Sequence, residues 1–431
     1  MKIKTFVINL PQRRDRKEHT LEQFFEKNEF EVVIVEAQVH KIGAVGLWTT
    51  IVDIIKTAIA GDDELIIICE DDHQFTNQYS KEFFFDAIEN AKNFGADILS
   101  GGISSCSNCI KVSDFLFWNE SFTGFQFTII FRKFFLQMLS VSFEMDDATD
   151  YKVSSMTVNT FFIFPFISIQ KDFGYSDATS ANNTRNVEDL FKHCSDKISY
   201  LDQIYTVVKK TKKEIPLEIL DKRYLDYSIP TFIISENYCL TKIVRVAGEL
   251  QPRSEFLLHE DSRGWSSPPL KLNLFSQIKK AVQIAIENND DVIIFCTDDH
   301  SFSEHYSKRF LIRNILESYL QGAEVISGSA EKIDMAIPVT GYRYWTNTYF
   351  SGTFFIVFKQ LFNKLLDFIS SDKLTLFEVL SKVSNKKNLL LPFIADVDLE
   401  KATTETSKKM RITANRLGTI GYISKTIGSL N

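Results

Sequence analysis

The chain has 431 residues, enough for two or three ordinary domains, and its 44% apolar and 24% charged content excludes a mainly disordered chain. A net charge of −7 excludes a broad cationic surface, so clasping a nucleic-acid backbone is not an expected task. The opening "MKIKTFVINL" runs into charged residues without a secretory cleavage pattern, and no stretch reaches the roughly 20 uninterrupted apolar residues of a membrane span, so a cytoplasmic chain without a transmembrane segment is expected.

In chain order, "KTFVINL" (4–10) reads as a strand, "RKEHTLEQFFEKN" (16–28) as a charged helix with an apolar stripe, and "FEVVIVEA" (30–37) as a second strand. "LWTTIVDIIKTAIA" (47–60) has helical spacing, "ELIIICE" (64–70) is a continuous apolar strand, and "SKEFFFDAIENAKNFG" (80–95) is a helix closing on glycine. "FFIFPFISI" (161–169) is expected to be a buried strand. Such alternation predicts an α/β sheet covered on both faces. Cys69 and Cys296 fall in apolar strands, where a thiol behaves as a small hydrophobe. Cys106 and Cys109 have C-x-x-C spacing, but no second pair or histidine cluster at zinc spacing accompanies them, and the spacing alone assigns no metal or redox role.

"LIIICEDDHQF" (65–75) returns as "VIIFCTDDHSF" (292–302), an offset of 292 − 65 = 227. At that offset 65–101 aligns with 292–328 without a gap and 16 of the 37 positions are identical, including Asp71/Asp298, Asp72/Asp299 and His73/His300. Trp118 pairs with Trp345, Phe131 with Phe358 and Pro165 with Pro392, and Thr5 pairs with Thr231 after a one-residue shift. Two copies of this length are domains rather than solenoid repeats. Residues 1–180 and 226–431 are the expected domains, with 181–225 a helical connector whose "VVKKTKKE" is a solvated face.

Ligands of open α/β sheets bind beyond the carboxyl ends of the strands, where Glu70, Asp71 and Asp72 are expected. Alternate side chains of an extended chain share a face, so Glu70 and Asp72 converge while Asp71 turns away. Convergent carboxylates suit Mg²⁺ or Mn²⁺ shared with a diphosphate, although a solvated acidic turn has the same composition. His73 beside them is either a ligand or a packed core residue.

These residues carry a family resemblance. "FVINLPQRRDR" (with Asn9, Leu10, Arg13, Asp15 and Arg16), "GAVGLWTTIVDIIKTA" (with Thr50 where serine is usual), "ICEDDHQF" and "PFISIQKDFGYSD" (with Gln170, Ser176 and Asp177) follow in the order of glycosyltransferase family 25, whose bacterial members build lipopolysaccharide and lipooligosaccharide. The likeness spans about residues 3–180. It implies a GT-A fold, so that the chain would be two tandem GT-A-like (Rossmann-like) domains from an internal duplication. It also implies a nucleotide-sugar donor, UDP-hexose at the family level, and transfer with inversion to a glycan or lipid-linked acceptor, at the inner membrane face if peripheral. Inversion needs a carboxylate base. By the same likeness Asp146, then Asp147, in "FEMDDATDY" is the base, while Glu70 and Asp72 hold Mn²⁺ or Mg²⁺. Asn9, Arg13, Arg16, Asp71, Gln170, Ser176 and Asp177 would bind the donor, the arginines neutralising phosphate.

The second copy keeps Asp298, Asp299 and His300 but has Thr297 for Glu70, Lys373 and Leu374 near Asp146 and Asp147, and Thr403 and Thr404 for Ser176 and Asp177. Its loop "ISENYCLTK" has no counterpart to Arg13 or Arg16. A degenerate second transferase domain is expected. The competing readings are two non-catalytic carbohydrate or nucleotide-sugar modules, a nucleotidyltransferase, for which the Gly-rich phosphate loop with lysine is missing, and a bifunctional transferase. No long basic amphipathic helix marks a membrane-docking face.

Overall fold

A computed structural model of the chain describes residues 2–174, 186–211, 226–259, 274–350, 352–369, 374–397 and 405–428. The chain divides into unit 1, Met1–Thr206 with Thr426–Asn431, and unit 2, Val207–Lys425. Unit 1 runs β1 (Ile3–Asn9), α1 (Arg14–Gln23), β2 (Phe30–Glu36), α2 (Gly43–Ala60), β3 (Leu65–Glu70), β4 (His73–Phe75), α3 (Lys81–Asn93), β5 (Ile98–Ser100), β6 (Ser105–Cys106), β7 (Cys109–Lys111), β8 (Leu116–Asn119), β9 (Phe122–Thr123), β10 (Phe127–Phe131), α4 (Arg132–Leu139), α5 (Thr149–Met156), β11 (Thr160–Ile163), β12 (Ser168–Gln170) and α6 (Val187–Thr211). The strands and helices read from 4–95 are all present.

Eight of these strands form one sheet in the order β2-β1-β3-β10-β5-β11-β8-β7. β1, β2 and β3 are parallel, whereas β10 runs antiparallel between β3 and β5. The sheet is therefore mixed. The greasy run 161–169 is not one strand: it breaks at Phe164–Pro165, and β12 leaves the main sheet to pair with β4. Proline lacks the N–H that a continuous ladder needs.

The core of unit 1 is aromatic and aliphatic, with Phe84, Phe117, Phe127, Phe134 and Phe162 fully enclosed; each such side chain contributes about 1.5–3 kcal/mol by leaving water. α2 is the described helix long and apolar enough to cross a membrane by length and composition, but its Trp48, Ile51, Ile54, Ile55 and Ala58 are buried inside unit 1.

Unit 2 contains β13 (Ile229–Ile234), β14 (Phe256–Leu258), β15 (Val292–Thr297), β16 (His300–Phe302), β17 (Val325–Ser327), β18 (Lys332–Ile333), β19 (Ala336–Pro338), β20 (Arg343–Thr346), β21 (Tyr349–Phe350), β22 (Phe354–Phe358), β23 (Lys387–Leu390) and β24 (Ala395–Val397). Its eight-stranded sheet has the order β14-β13-β15-β22-β17-β23-β20-β19, that of unit 1 strand for strand. Register is kept too: Phe127 faces Cys69 and Phe354 faces Cys296. Trp118 Nε1 donates to Val158 O at 2.6 Å and Trp345 Nε1 to Asn385 O at 2.7 Å. Ser80 and Ser307 cap equivalent helices by accepting from Phe83 N and Phe310 N. The repeat in sequence is a repeat of fold, down to individual hydrogen bonds.

Candidate active site at the carboxyl edge of unit 1

β1 lies between β2 and β3, so the chain leaves β1 toward one side and later returns on the other. The carboxyl ends of β1 and β3 flank the crevice where open α/β sheets take ligands. Asn9 ends β1, Glu70 ends β3, and Ile8 pairs with Glu70.

Asp71 begins the turn after β3 and points into the unit, 3% exposed. It accepts from Asn9 Nδ2 at 3.0 Å, Arg13 Nη1 at 3.4 Å and Arg16 Nη1 at 3.3 Å, and its carbonyl accepts from Thr20 Oγ1 at 2.8 Å. Arg13 stands at the N-terminus of α1 and Arg16 in its first turn, with Arg16 over the Phe173 ring at 4.8 Å. Both guanidinium groups thus face Asp71, and Arg16 also reaches Asp72 Oδ2 at 3.6 Å. Asp71 is the anchor that fixes these cations beside the crevice.

Asp72 follows in the same turn, with Arg16 Nη1 shared between its Oδ2 and Asp71 Oδ1. Its Oδ1 is buried with no hydrogen-bond partner. Burial, then the charge of Asp71, pushes its carboxyl up to about 7 against the pull of Arg16 and Arg13. Glu70 accepts no side-chain hydrogen bond from a described residue; burial, then the charges of Asp72, Asp71 and Asp150, holds it well above the usual carboxylate range, with Arg13 opposing. Glu70 and Asp72 are thus carboxylates whose charged forms burial disfavours, with the arginines opposing and Asp150 bearing on Glu70. Such a pair suits a hard divalent ion, and the orphaned Oδ1 of Asp72 fits one. Among the described residues no group of three or more His, Cys, Asp or Glu side chains is placed to hold a metal. An ion on Glu70 and Asp72 would complete its shell with substrate and water oxygens, as Mg²⁺ commonly does.

Of the aspartates in "FEMDDATDY", Asp146 is exposed, and Asp147 is occupied by Lys152 Nζ at 2.7 Å and Glu144 N at 2.8 Å. The Lys152 ammonium, then the Glu144 N–H, holds Asp147 below the ordinary carboxylate value. Neither makes an interaction with Glu70 or Asp72 among the described residues. Asp150, in the first turn of α5, does bear on Glu70. It accepts from Gly124 N at 3.2 Å, and burial raises its carboxyl. Sequence reasoning missed it because three aspartates lie within five residues and the helical phase that separates them is fixed only once Thr149 starts α5.

His73 is fully buried in β4. Its Nδ1 lies 2.8 Å from Ser168 Oγ, its ring stacks on Phe127 at 4.8 Å, and burial depresses its basicity well below the ordinary histidine value. It is packed in the aromatic core, and its Nε2 has no hydrogen-bond partner among the described residues. His300 repeats the burial and the depressed basicity, to about 3, also from desolvation first. Gln170 pairs with His73 across β12 and β4. Ser176 and Asp177 lie outside the described residues, as do Lys373, Thr403 and Thr404. Thr50 accepts from Gln38 N at 2.9 Å and donates to Gly46 O at 2.8 Å. A Cβ on Gly46 would sit 2.3 Å from Gln38 O, so glycine is what lets this loop close on α2.

In unit 2 the equivalent edge is built alike but lacks carboxylates at the positions of Glu70 and Asp150. Ser235 Oγ donates to Asp298 Oδ2 at 2.6 Å, as Asn9 does to Asp71. Lys242 Nζ pairs with Asp299 Oδ1 at 2.6 Å, and Arg245 donates to the carbonyl of His300 at 3.0 Å, where His19 Nε2 meets that of His73 at 3.1 Å. The expectation that this copy lacks a counterpart of Arg16 is therefore corrected: Lys242, on the helix Leu240–Leu250, is that counterpart, hidden by a one-residue shift in the repeat. Thr297 replaces Glu70, Cys239 takes the helix-start position of Arg13, and Phe377, packed on Phe355, takes that of Asp150.

No family model and no curated protein matches the chain. Among solved structures, one described as "Crystal Structure of A197 from STIV" superposes with a TM-score of 0.31 and 17% identity, covering 40% of this chain and 86% of its own. An apo UDP-glucose pyrophosphorylase superposes with a TM-score of 0.27 and 8% identity, covering 46% of this chain and 81% of its own.

Proposed function

We propose that unit 1 is an inverting glycosyltransferase of the GT-A kind that moves a sugar, a hexose from a UDP donor, onto a glycan or lipid-linked acceptor with the help of Mn²⁺ or Mg²⁺. The observation that carries this reading is the half-buried pair Glu70 and Asp72 at the end of β3, with Arg13 and Arg16 facing them through Asp71 and Asp150 bearing on Glu70. It agrees with the family 25 resemblance of the motifs that form the crevice.

Glu70 and Asp72 would hold the divalent ion, which when bound neutralises charge on the leaving diphosphate. Asp71 keeps Arg13 and Arg16 at the crevice, where they offer donors to phosphate oxygens. Asp150 takes the part of general base in place of Asp146 and Asp147. Its buried carboxyl is more basic than an exposed aspartate, which suits it to accept the acceptor hydroxyl's proton near neutral pH, a role typically contributing about 10²–10⁴ in rate. Unit 2, with Thr297 and Phe377 at the two key positions, is the non-catalytic copy.

Incubation with UDP-, GDP- and CMP-sugars, with Mn²⁺ or with chelator, tests the reading through nucleotide release. Metal-dependent release from one donor, lost in Asp72→Asn, supports it; absence of both turnover and binding across the panel refutes it.

A further inference from the structure

Lys171 directly follows β12, and its backbone N–H donates to the carbonyl of Asp72 at 2.8 Å, so the residue is tied to the turn that carries Asp71 and Asp72. Its half-buried side chain places Nζ 3.4 Å from His19 Nδ1 and 5.0 Å from the centroid of the Phe173 ring, over which Arg16 also sits at 4.8 Å. Arg13 and Arg16 are engaged by Asp71 and Asp72, whereas Lys171 has no carboxylate partner among the described residues. What it meets is an uncharged acceptor. His19 Nε2 is 3.1 Å from the carbonyl of His73, which can only accept, so Nε2 carries the proton and Nδ1 presents its lone pair to the ammonium. Burial, then Lys171, lowers the basicity of His19, with the His73 carbonyl and Glu22 opposing. The imidazole therefore holds the lysine in place without cancelling its charge.

The second copy fills the same place with balanced charge. Arg245 stands at the position of His19 and donates to the carbonyl of His300, but it is paired with Glu249 at 3.0 Å. Unit 1 has Gln23 at that position, an acceptor for Phe75 N at 2.9 Å. In the sequence, the offset of 227 sets Asp398, outside the described residues, against Lys171. A helix arginine with its own acid in unit 2 thus corresponds to a strand-end lysine without one in unit 1. A half-buried ammonium is costly to leave without an anion. Beside two arginines already held by aspartates, this charge is the one left for a ligand.

We propose that Lys171 is a phosphate-binding residue of unit 1, its ammonium donating to the diphosphate oxygens of the nucleotide donor beside Arg13 and Arg16. The inference rests on the reading of unit 1 as a nucleotide-sugar site and deepens it by naming a cation for the leaving diphosphate. An ammonium carries three donors on a flexible stem, and phosphate oxygens replace only its contacts with a neutral imidazole and a ring face.

Calorimetric titration of the full chain with pyrophosphate and Mg²⁺ tests this in the parent, in Lys171→Met, which keeps the apolar stem, and in Lys171→Arg, which keeps the charge. Lys171→Met should weaken binding about tenfold or more and Lys171→Arg less than about threefold, with Tm values within about 3 °C of the parent. Lys242→Met, at the cation of the second copy, should leave the affinity within about twofold. The proposal is overturned if Lys171→Met binds as the parent does, if Lys171→Met and Lys171→Arg lose affinity alike, if the loss follows Lys242→Met instead, or if the parent binds no pyrophosphate. The same proteins assayed with nucleotide sugars separate this inference from the reading beneath it. Pyrophosphate binding through Lys171 without turnover of any nucleotide sugar keeps the inference and removes the transferase; turnover whose KM is unchanged in Lys171→Met keeps the transferase and removes the inference.

Discussion

The two units share strand order, register and buried hydrogen bonds, yet their carboxyl edges differ in charge. In unit 1 Glu70 and Asp150 add negative charge to the Asp71 and Asp72 pair; in unit 2 Thr297 and Phe377 stand in their places while Asp298 and Asp299 remain, each with its own partner. The retained Asp71 and Asp298 therefore belong to the architecture. Asp71 and Asp298 tie the turn after the third strand to the end of the first strand, through Asn9 and Ser235. What unit 1 has beyond this frame, among the described residues, is Glu70 and Asp150, and on the proposed reading this added acid marks the donor edge.

The largest expected effect separates the two copies. Asp72→Asn should lower metal-dependent nucleotide release by roughly 100-fold or more, since a charge acting on the leaving group is lost, whereas Asp299→Asn leaves it within about twofold. Loss with both substitutions, each of a different donor, would break the comparison and make the chain bifunctional. Next, Asp150→Asn should reduce kcat about 10²–10⁴-fold with nucleotide binding retained, while Asp146→Asn and Asp147→Asn change it little; calorimetric titration with UDP beside steady-state rates distinguishes base loss from binding loss.

Stability gives a smaller and opposite contrast. The folded-state carboxyl of Asp72 is raised to about 7 from the ordinary 3.8, chiefly by burial, so the folded chain holds this proton more tightly than the unfolded chain. Stability from this group is greatest below the unfolded value, falls as pH rises between the two, and stays lowered above the folded value. Asp72→Asn should therefore stabilise the metal-free chain at pH 8 by on the order of 1–3 kcal/mol relative to its effect at pH 4. Denaturant midpoints of the two proteins at both pH values check this, and added Mn²⁺ should narrow the gap at pH 8. The smallest effect is symmetric: Ser80→Ala and Ser307→Ala each remove a helix cap in an equivalent place and should each cost about 1 kcal/mol.

Much of the fold is legible in the sequence because its signals are local. Continuous apolar strands and helical spacing read directly, and the 227-residue offset exposes the duplication. Strand direction is not local: nothing in "FTIIF" tells that β10 runs against β3, since an apolar run has no polarity and the partner is distant in sequence. The site was half legible. Glu70, Asp71, Asp72, Arg13 and Arg16 come together as their order suggests, but the arginines face Asp71, which a linear reading cannot assign. Lys242 was hidden because the two copies are offset by 226 residues at the first strand and by 227 at the third, so a gap-free comparison at 227 sets Lys242 against Asp15 instead of Arg16. Asp150 was missed because its bearing on Glu70, distant in the chain, appears only once α5 is packed.

The central claim is that the acidic edge of unit 1 is a catalytic donor site and the equivalent edge of unit 2 is not. The most direct measurement is nucleotide release from a panel of nucleotide sugars with Mn²⁺, comparing the intact chain with Asp72→Asn and with Asp299→Asn. The account predicts release from one donor, abolished by chelator and by Asp72→Asn and untouched by Asp299→Asn. Release that survives Asp72→Asn, or is lost only with Asp299→Asn, would contradict it.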